Sequence, residues 1–290
     1  VRKLITPKAE NIPQLKKIWC ECFPDDADGY CDFFFEHYFK PEICLALYNG
    51  EEIETAAYMF DTYYKGKNGE KHDFLFLYAI GTLKKYRGKN NLQFVLNGCL
   101  NYAKAKGMSG ITAVSADEIV HVYDRFGYKR TAMLHTYTVE VSPKAGIVSW
   151  QTCDFEKFCS LRTAYLDEIG NSFYWQGDSG KYMYEDVFTR GNILACEYEN
   201  ETYYAVCTKE SDRYTIRETS FPLDKAYALA NSIAEYYGYS GLLDIYSRYD
   251  GFVYPEKYSA EDIYYGHYGI CQSFSGDENL GNSYINLIAD

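Results

Sequence analysis

Lys85, Arg87, Gly88, Lys89 and Asn90 stand together in the stretch KKYRGKN. Three cations around a glycine suit an anion such as phosphate. Before them, Phe74 to Thr82 is an almost unbroken apolar run, which fits a buried strand. After them, Leu92, Val95, Leu96, Cys99, Leu100 and Ala103 recur at the spacing of one helix face. Gly107 follows where a helix end favours a residue that accepts positive φ. A strand that turns through a basic loop into a helix presents unpaired N–H groups and the positive end of the helix dipole to an anion. The same layout also serves an ordinary strand–helix connection with solvated basic residues.

Further on, Gly110 to Ser115 reads as a second strand. A short helix is expected from about Glu118 to Phe126, ended by Gly127. An alternating strand follows from about Thr131 to Val141.

This order, with Tyr86-Arg87-Gly88-Lys89 in the loop and Tyr123-Asp124-Arg125-Phe126-Gly127-Tyr128 after it, resembles the GNAT family of acyl-CoA-dependent N-acetyltransferases. The resemblance covers about residues 1–141. It implies acetyl-CoA as co-substrate and a primary amine, on a small molecule or peptide, as acceptor. It implies that Lys85, Arg87, Gly88, Lys89, Asn90 and Asn91 hold the pyrophosphate. The backbone of Tyr78, Ala79, Ile80 and Gly81 would hold the pantetheine and polarise the thioester carbonyl. Tyr123 would protonate the departing thiolate. The family's first two helices flank the acceptor, which places Phe33, Phe34 and His37 at the acceptor cleft; core packing is the other reading of these residues. An attacking amine must lose a proton, and a carboxylate or His near the central strand could take it. That strand contains no Glu, and Asp73 is the nearest carboxylate.

The loop departs from the family pattern, in which Gln or Arg is followed after two residues by Gly, then after one more by Gly or Ala. Read from Lys85, Gly88 fits and Asn90 takes the last position; Asn tolerates the left-handed region better than most residues. Read from Arg87, Asn90 and Leu92 take the two small positions. Ala116 stands where the family often has Asn. These departures keep a second reading open, a CoA- or acyl-CoA-binding protein that catalyses little. A third, aminoacyl transfer from charged tRNA, is opposed by the acidic charge and the lack of a basic stripe.

Around this stretch, Arg2 to Thr6 reads as a first strand, and Ala9 to Phe23 and Gly29 to Phe39 as helices. Ile43 to Tyr48 and Ile53 to Tyr64 read as strands joined by an Asn49-Gly50 turn. Asp25, Asp26 and Asp28 suit helix capping better than calcium. Residues 142–149, with Pro143 and Gly146, read as a linker. Residues 150–290 then repeat the order of the first half, with helices near 153–168, 180–188 and 223–237. Strands are expected near 193–199, 202–209, 214–220 and 241–247. Tyr264 to Ile270 (YYGHYGI) reads as a worn copy of Val122 to Tyr128. The second half has no phosphate loop, and Pro222 removes a helix N–H group that an anion would use. The expected fold is therefore α/β (α+β). Two tandem GNAT-like domains, 1–141 and a degenerate 150–290, each have a mixed, mostly antiparallel sheet flanked by helices.

A hydrophobic fraction of 47% over 290 residues supplies ample core. A net charge of −12 argues against nucleic acid and anionic membranes as partners, and is compatible with attracting a cationic amine. Ten cysteines without C-x-x-C pairs or zinc-spaced histidines read as reduced thiols in a cytoplasmic protein, with no metal site. No signal peptide and no apolar run of membrane-spanning length is read in the sequence.

Overall fold

The computed structural model describes residues 1–24, 29–115, 117–143, 147–210, 212–248, 264–274, 280 and 283–285. Asp25, Asp26, Asp28 and Ala116 lie outside the described residues.

In the first half, β1 (Lys3–Ile5) leads to α1 (Ile12–Cys22) and α2 (Tyr30–His37). The strands β2 (Cys44–Tyr48), β3 (Ile53–Lys65) and β4 (Lys71–Thr82) follow, then α3 (Asn91–Ala105) and β5 (Gly110–Val114). The half closes with α4 (Asp117–Asp124) and β6 (Lys129–Val141). The second half runs β7 (Gln151–Thr152), α5 (Phe155–Ile169), β8 (Ser172–Trp175), α6 (Gly177–Arg190) and β9 (Gly191–Tyr198). It continues β10 (Glu201–Glu210), β11 (Arg213–Thr219), α7 (Ala226–Tyr237), β12 (Gly241–Arg248) and β13 (Tyr264–Ser273).

Each half contains a strand, a helix and a parallel neighbour strand. β4 pairs parallel with β5 across α3, and β11 pairs parallel with β12 across α7. The other described pairings between strands are antiparallel, so the sheet is mixed and mostly antiparallel, as expected. Its order is β1-β2-β3-β4-β5-β13-β6-β12-β11-β10-β9-β7. The two halves therefore exchange their last strands. β13, from the end of the chain, lies between β5 and β6, while β6 pairs with β12 of the second half.

Two sequence readings change here. Tyr264 to Ile270 belongs to β13 and is not a copy of the helix–turn at Val122 to Tyr128. At Gly269 this strand is closely approached: a Cβ there would lie 2.7 Å from Ala132 Cβ and 2.4 Å from Ile285 Cγ2. The short strand β8 is not among the expected elements. It pairs with Thr62–Lys65 of β3, beyond the segment that β2 covers.

One face of the sheet packs against α1, α2, α5 and α6 in a core rich in aromatics. The opposite face packs against α3 and α4 in the first half and α7 in the second. Alternation along β4 sends Phe74 and Phe76 to the first face and Leu75 and Leu77 to the other.

Candidate active site

The parallel ladder between β4 and β5 runs from Phe74↔Gly110 to Leu77↔Ala113 and stops. β4 continues to Thr82, whereas β5 ends at Val114. The two strands thus form a fork with its base at Leu77 and Ala113. At that base β4 is also irregular against β3. Tyr58 pairs with Tyr78 and Ala56 with Gly81, so Ala79 and Ile80 together face the one residue Ala57. This is a β-bulge, which re-aims backbone groups off the ladder. Ala79 has φ +44, a left-handed value uncommon for a residue with a Cβ. Tyr78, Ala79 and Ile80 are brought together here, at the open side of the sheet. Gly81, the next residue, faces α1. A Cβ there would lie 2.8 Å from Ile18 Cγ2 and 3.1 Å from Cys22 Sγ, so the glycine admits α1.

The basic loop leaves the end of β4 and enters α3. Gly88 has φ +75 and Asn90 φ +59, so both use the left-handed region, Asn90 in place of a glycine. Asn90 makes no side-chain cap to the helix, which leaves the first N–H groups of α3 available to another acceptor. Leu92 packs against the core beneath α3. Asn91 is buried, and its side chain turns inward to Glu54 instead of towards the loop. Lys85 pairs with Glu52, which also accepts from the Tyr86 hydroxyl at 2.6 Å. Lys85 and Tyr86 hold the Glu52 carboxyl below its usual range, and Glu52 in turn raises Lys85. Lys89 Nζ lies 4.9 Å from the Tyr86 ring centre. Arg87 is exposed and donates Nε–H to Thr82 O at 3.0 Å.

Tyr123 sits on α4, buried at 7% exposure, in the same core as Leu77, Ile80 and Ala113. Burial pushes its phenol up to about 12, so it carries its proton at neutral pH. The spacing of the Tyr-x-x-x-Gly motif has a local cause. Phe126 N and Tyr128 N both donate to Tyr123 O, at 2.9 and 3.3 Å, and Gly127 takes φ +82 to close the turn.

Asp73 is not brought to the fork. It is exposed near the start of β4, five residues before Tyr78, or about 17 Å along an extended strand. Of the expected acceptor residues, Phe34 is fully buried in the core. Phe33 is half-buried and His37 exposed, their rings 5.1 Å apart.

Sequence reasoning missed a hydroxyl cluster on this face. Tyr78 of β4 bonds to Tyr30 of α2 at 2.7 Å and to Tyr182 of α6 at 3.1 Å, and Tyr30 and Tyr182 bond to each other. Burial, then the neighbouring phenols and Asp186, push Tyr30 and Tyr182 well above the ordinary tyrosine value. Asp186 is fully buried and accepts from Arg190 at 3.1 Å, and the Arg190 guanidinium lies 5.2 Å from the Tyr30 ring centre. The available signal was the polar stripe Tyr182, Asp186, Arg190 at i, i+4 and i+8.

Among the described residues no group of three His, Cys, Asp or Glu is arranged to hold a metal. No described helix is long and apolar enough to cross a membrane.

Residues 3–131 match the family model of the acetyltransferase (GNAT) domain. This part of the chain is similar to a GNAT domain. The likeness of fold extends across both halves. A GCN5-related N-acetyltransferase from Kribbella flavida is 13% identical with a TM-score of 0.70, covering 94% of this chain and 72% of that one. One from Anabaena variabilis is 12% identical, with a TM-score of 0.71 and coverage of 94% and 73%. One from Sphaerobacter thermophilus is 8% identical, with a TM-score of 0.57 and coverage of 94% and 95%. No curated protein sequence matches the chain. At these identities the likeness is one of fold.

Proposed function

We propose that this protein transfers an acetyl group from acetyl-CoA to a primary amine of a small molecule or peptide. The observation that carries this reading is the fork beyond Leu77 and Ala113, with a bulge at Ala79 on one arm and the Arg87–Asn90 loop beyond it. In this reading the pyrophosphate lies against the loop and the first N–H groups of α3, with Arg87 and Lys89 beside it. The pantetheine enters the fork, and the re-aimed backbone at Ala79 and Ile80 polarises the thioester carbonyl. The amine nitrogen attacks the carbonyl carbon, the C–S bond breaks, and Tyr123 gives its proton to the leaving thiolate. The proton that the nitrogen loses on attack passes to solvent water, and water returns one proton to the Tyr123 phenolate, so the step balances as amide and free thiol. The half at 150–290, without a phosphate loop, supports the fork and binds no CoA. Reduced thiols fit a cytoplasmic setting.

The test is a thermal melt with and without acetyl-CoA, followed by an amine panel read through the free thiol. A ligand at ~100 times its dissociation constant stabilises a fold by about 2.7 kcal/mol, a rise of several degrees. The expected result is a rise that Arg87→Glu abolishes, with turnover on at least one amine. No rise at millimolar acetyl-CoA sinks the reading. A second reading, binding of acyl-CoA without turnover, draws on the engagement of Lys85 by Glu52 and of Arg87 by Thr82 O. A rise without turnover on any amine would favour it.

A further inference from the structure

Tyr78 is the last residue of β4 before the bulge, and its neighbour Ala79 holds φ +44. A non-glycine residue keeps such a conformation only where its surroundings over-determine it. Those surroundings include α6, which belongs to the second half. Tyr182 of α6 is fully buried, stacks on Phe60 at 5.4 Å and 21°, and donates to Tyr78 at 3.1 Å. Three more ties fix α6 against the first half. Ser179 Oγ donates to Asp61 O at 2.9 Å, Lys40 pairs with Asp178, and the Tyr38 hydroxyl donates to Glu185.

The hydroxyls of Tyr30, Tyr78 and Tyr182 form a closed set in which each touches the other two. Such a set fixes three rings at once, because each phenol has one proton to give and lone pairs to accept. A strand residue held this way on one side cannot turn freely, and the re-aimed amide next to it keeps its direction. We propose that Tyr182, from the half without a phosphate loop, is a positioning residue for the fork, fixing Tyr78 and through it the Ala79 amide that polarises the thioester carbonyl. The inference rests on the acetyl-CoA reading above and adds to it a role for the second half.

The test compares the wild type with Tyr182→Phe, which keeps the ring and removes the hydroxyl. Tyr30→Phe removes the same set from the first half's side and serves if Tyr182→Phe fails to fold. Two readouts are needed. The melt with acetyl-CoA reports binding, and the 13C shift of carbonyl-labelled acetyl-CoA on the protein reports polarisation. Both variants are expected to keep the acetyl-CoA melt rise and to lose most of the downfield carbonyl shift seen with the wild type. On an active amine, kcat falls about tenfold and the KM for acetyl-CoA stays within about twofold. A melt rise with an unchanged carbonyl shift in both variants overturns this inference and leaves the acetyl-CoA reading intact. No melt rise in the wild type overturns the acetyl-CoA reading, and the inference falls with it.

Discussion

Asn91 donates Nδ2–H to Glu54 Oε2 across 2.7 Å, and Glu54 is 2% exposed. The first residue of α3 is thereby tied to β3 directly behind the basic loop. Glu54 also accepts from Asn49 at 2.9 Å and pairs with Arg2 at 3.0 Å. The carboxylate thus anchors the loop from within while the loop's own cations face outward. Glu54→Gln keeps one acceptor for Asn91 but removes the charge that Arg2 answers. It is expected to cost about 1–3 kcal/mol in urea unfolding and to weaken acetyl-CoA binding several-fold by calorimetry. Unchanged stability together with unchanged affinity would show that the anchor does nothing.

Gly81 separates packing from binding. In Gly81→Ala the new Cβ meets the branched Ile18 side chain, which has little room to yield. A loss of about 1–3 kcal/mol is expected from overpacking. Acetyl-CoA affinity, measured on the folded variant, should stay close to the wild-type value. A selective loss of affinity would instead make Gly81 part of the pantetheine channel.

Tyr123→Phe should retain acetyl-CoA binding and lower kcat about a hundredfold, the usual scale for removing a general acid. The same variant makes a pH prediction. Burial raises the folded phenol from 10.0 to about 12. Its stabilising contribution is fully present below pH 10 and is lost as pH rises through the folded value. The contribution is about 3 kcal/mol, since each pKa unit corresponds to about 1.36 kcal/mol. Unfolding free energy measured between pH 10 and 12 should fall less steeply in Tyr123→Phe than in the wild type. Identical slopes would place Tyr123 in contact with water.

The second half has its own buried polar centre. Arg162 donates Nε–H and Nη2–H to Glu218 at 2.7 and 3.2 Å, and Glu218 also accepts from Tyr204 and Tyr284, each at 2.8 Å. Arg162→Met leaves a buried carboxylate without its cation and should cost about 3–5 kcal/mol. Adding Glu218→Leu should restore only part of that, because two buried phenols lose their acceptor. Full recovery in the double variant, read by urea unfolding, would contradict this account.

Much of the local structure was legible in the chain. The helical spacing from Leu92 to Ala103 became α3, and the apolar run from Phe74 became the body of β4. Asn90 took the left-handed position that its side chain tolerates, and Gly127 took the positive φ that ends the turn after α4. These features depend on side chains within a few residues of one another, so periodicity and turn chemistry report them directly. Leu92 shows the limit of a motif read by position. Its place in the pattern counts as a departure from a small residue, and the helical spacing that it shares with Val95 and Leu96 turns it into the core.

The sequence by itself determined the elements, the basic loop and its αL residue, the Tyr123 turn and the repeated strand–helix–strand order. Only the tertiary structure decided which edges the strands found. β13 pairs between β5 and β6, and β8 pairs with β3, because a strand's N–H and C=O groups are satisfied by any open edge of matching register. That choice is not written in the strand's own alternation. Tertiary packing also placed Asp73 at the far end of β4 and brought Tyr30, Tyr78 and Tyr182 together. The pairing of Tyr78 with Tyr182 joins residues 104 positions apart in the chain, and only the docking of α6 against the sheet makes them neighbours.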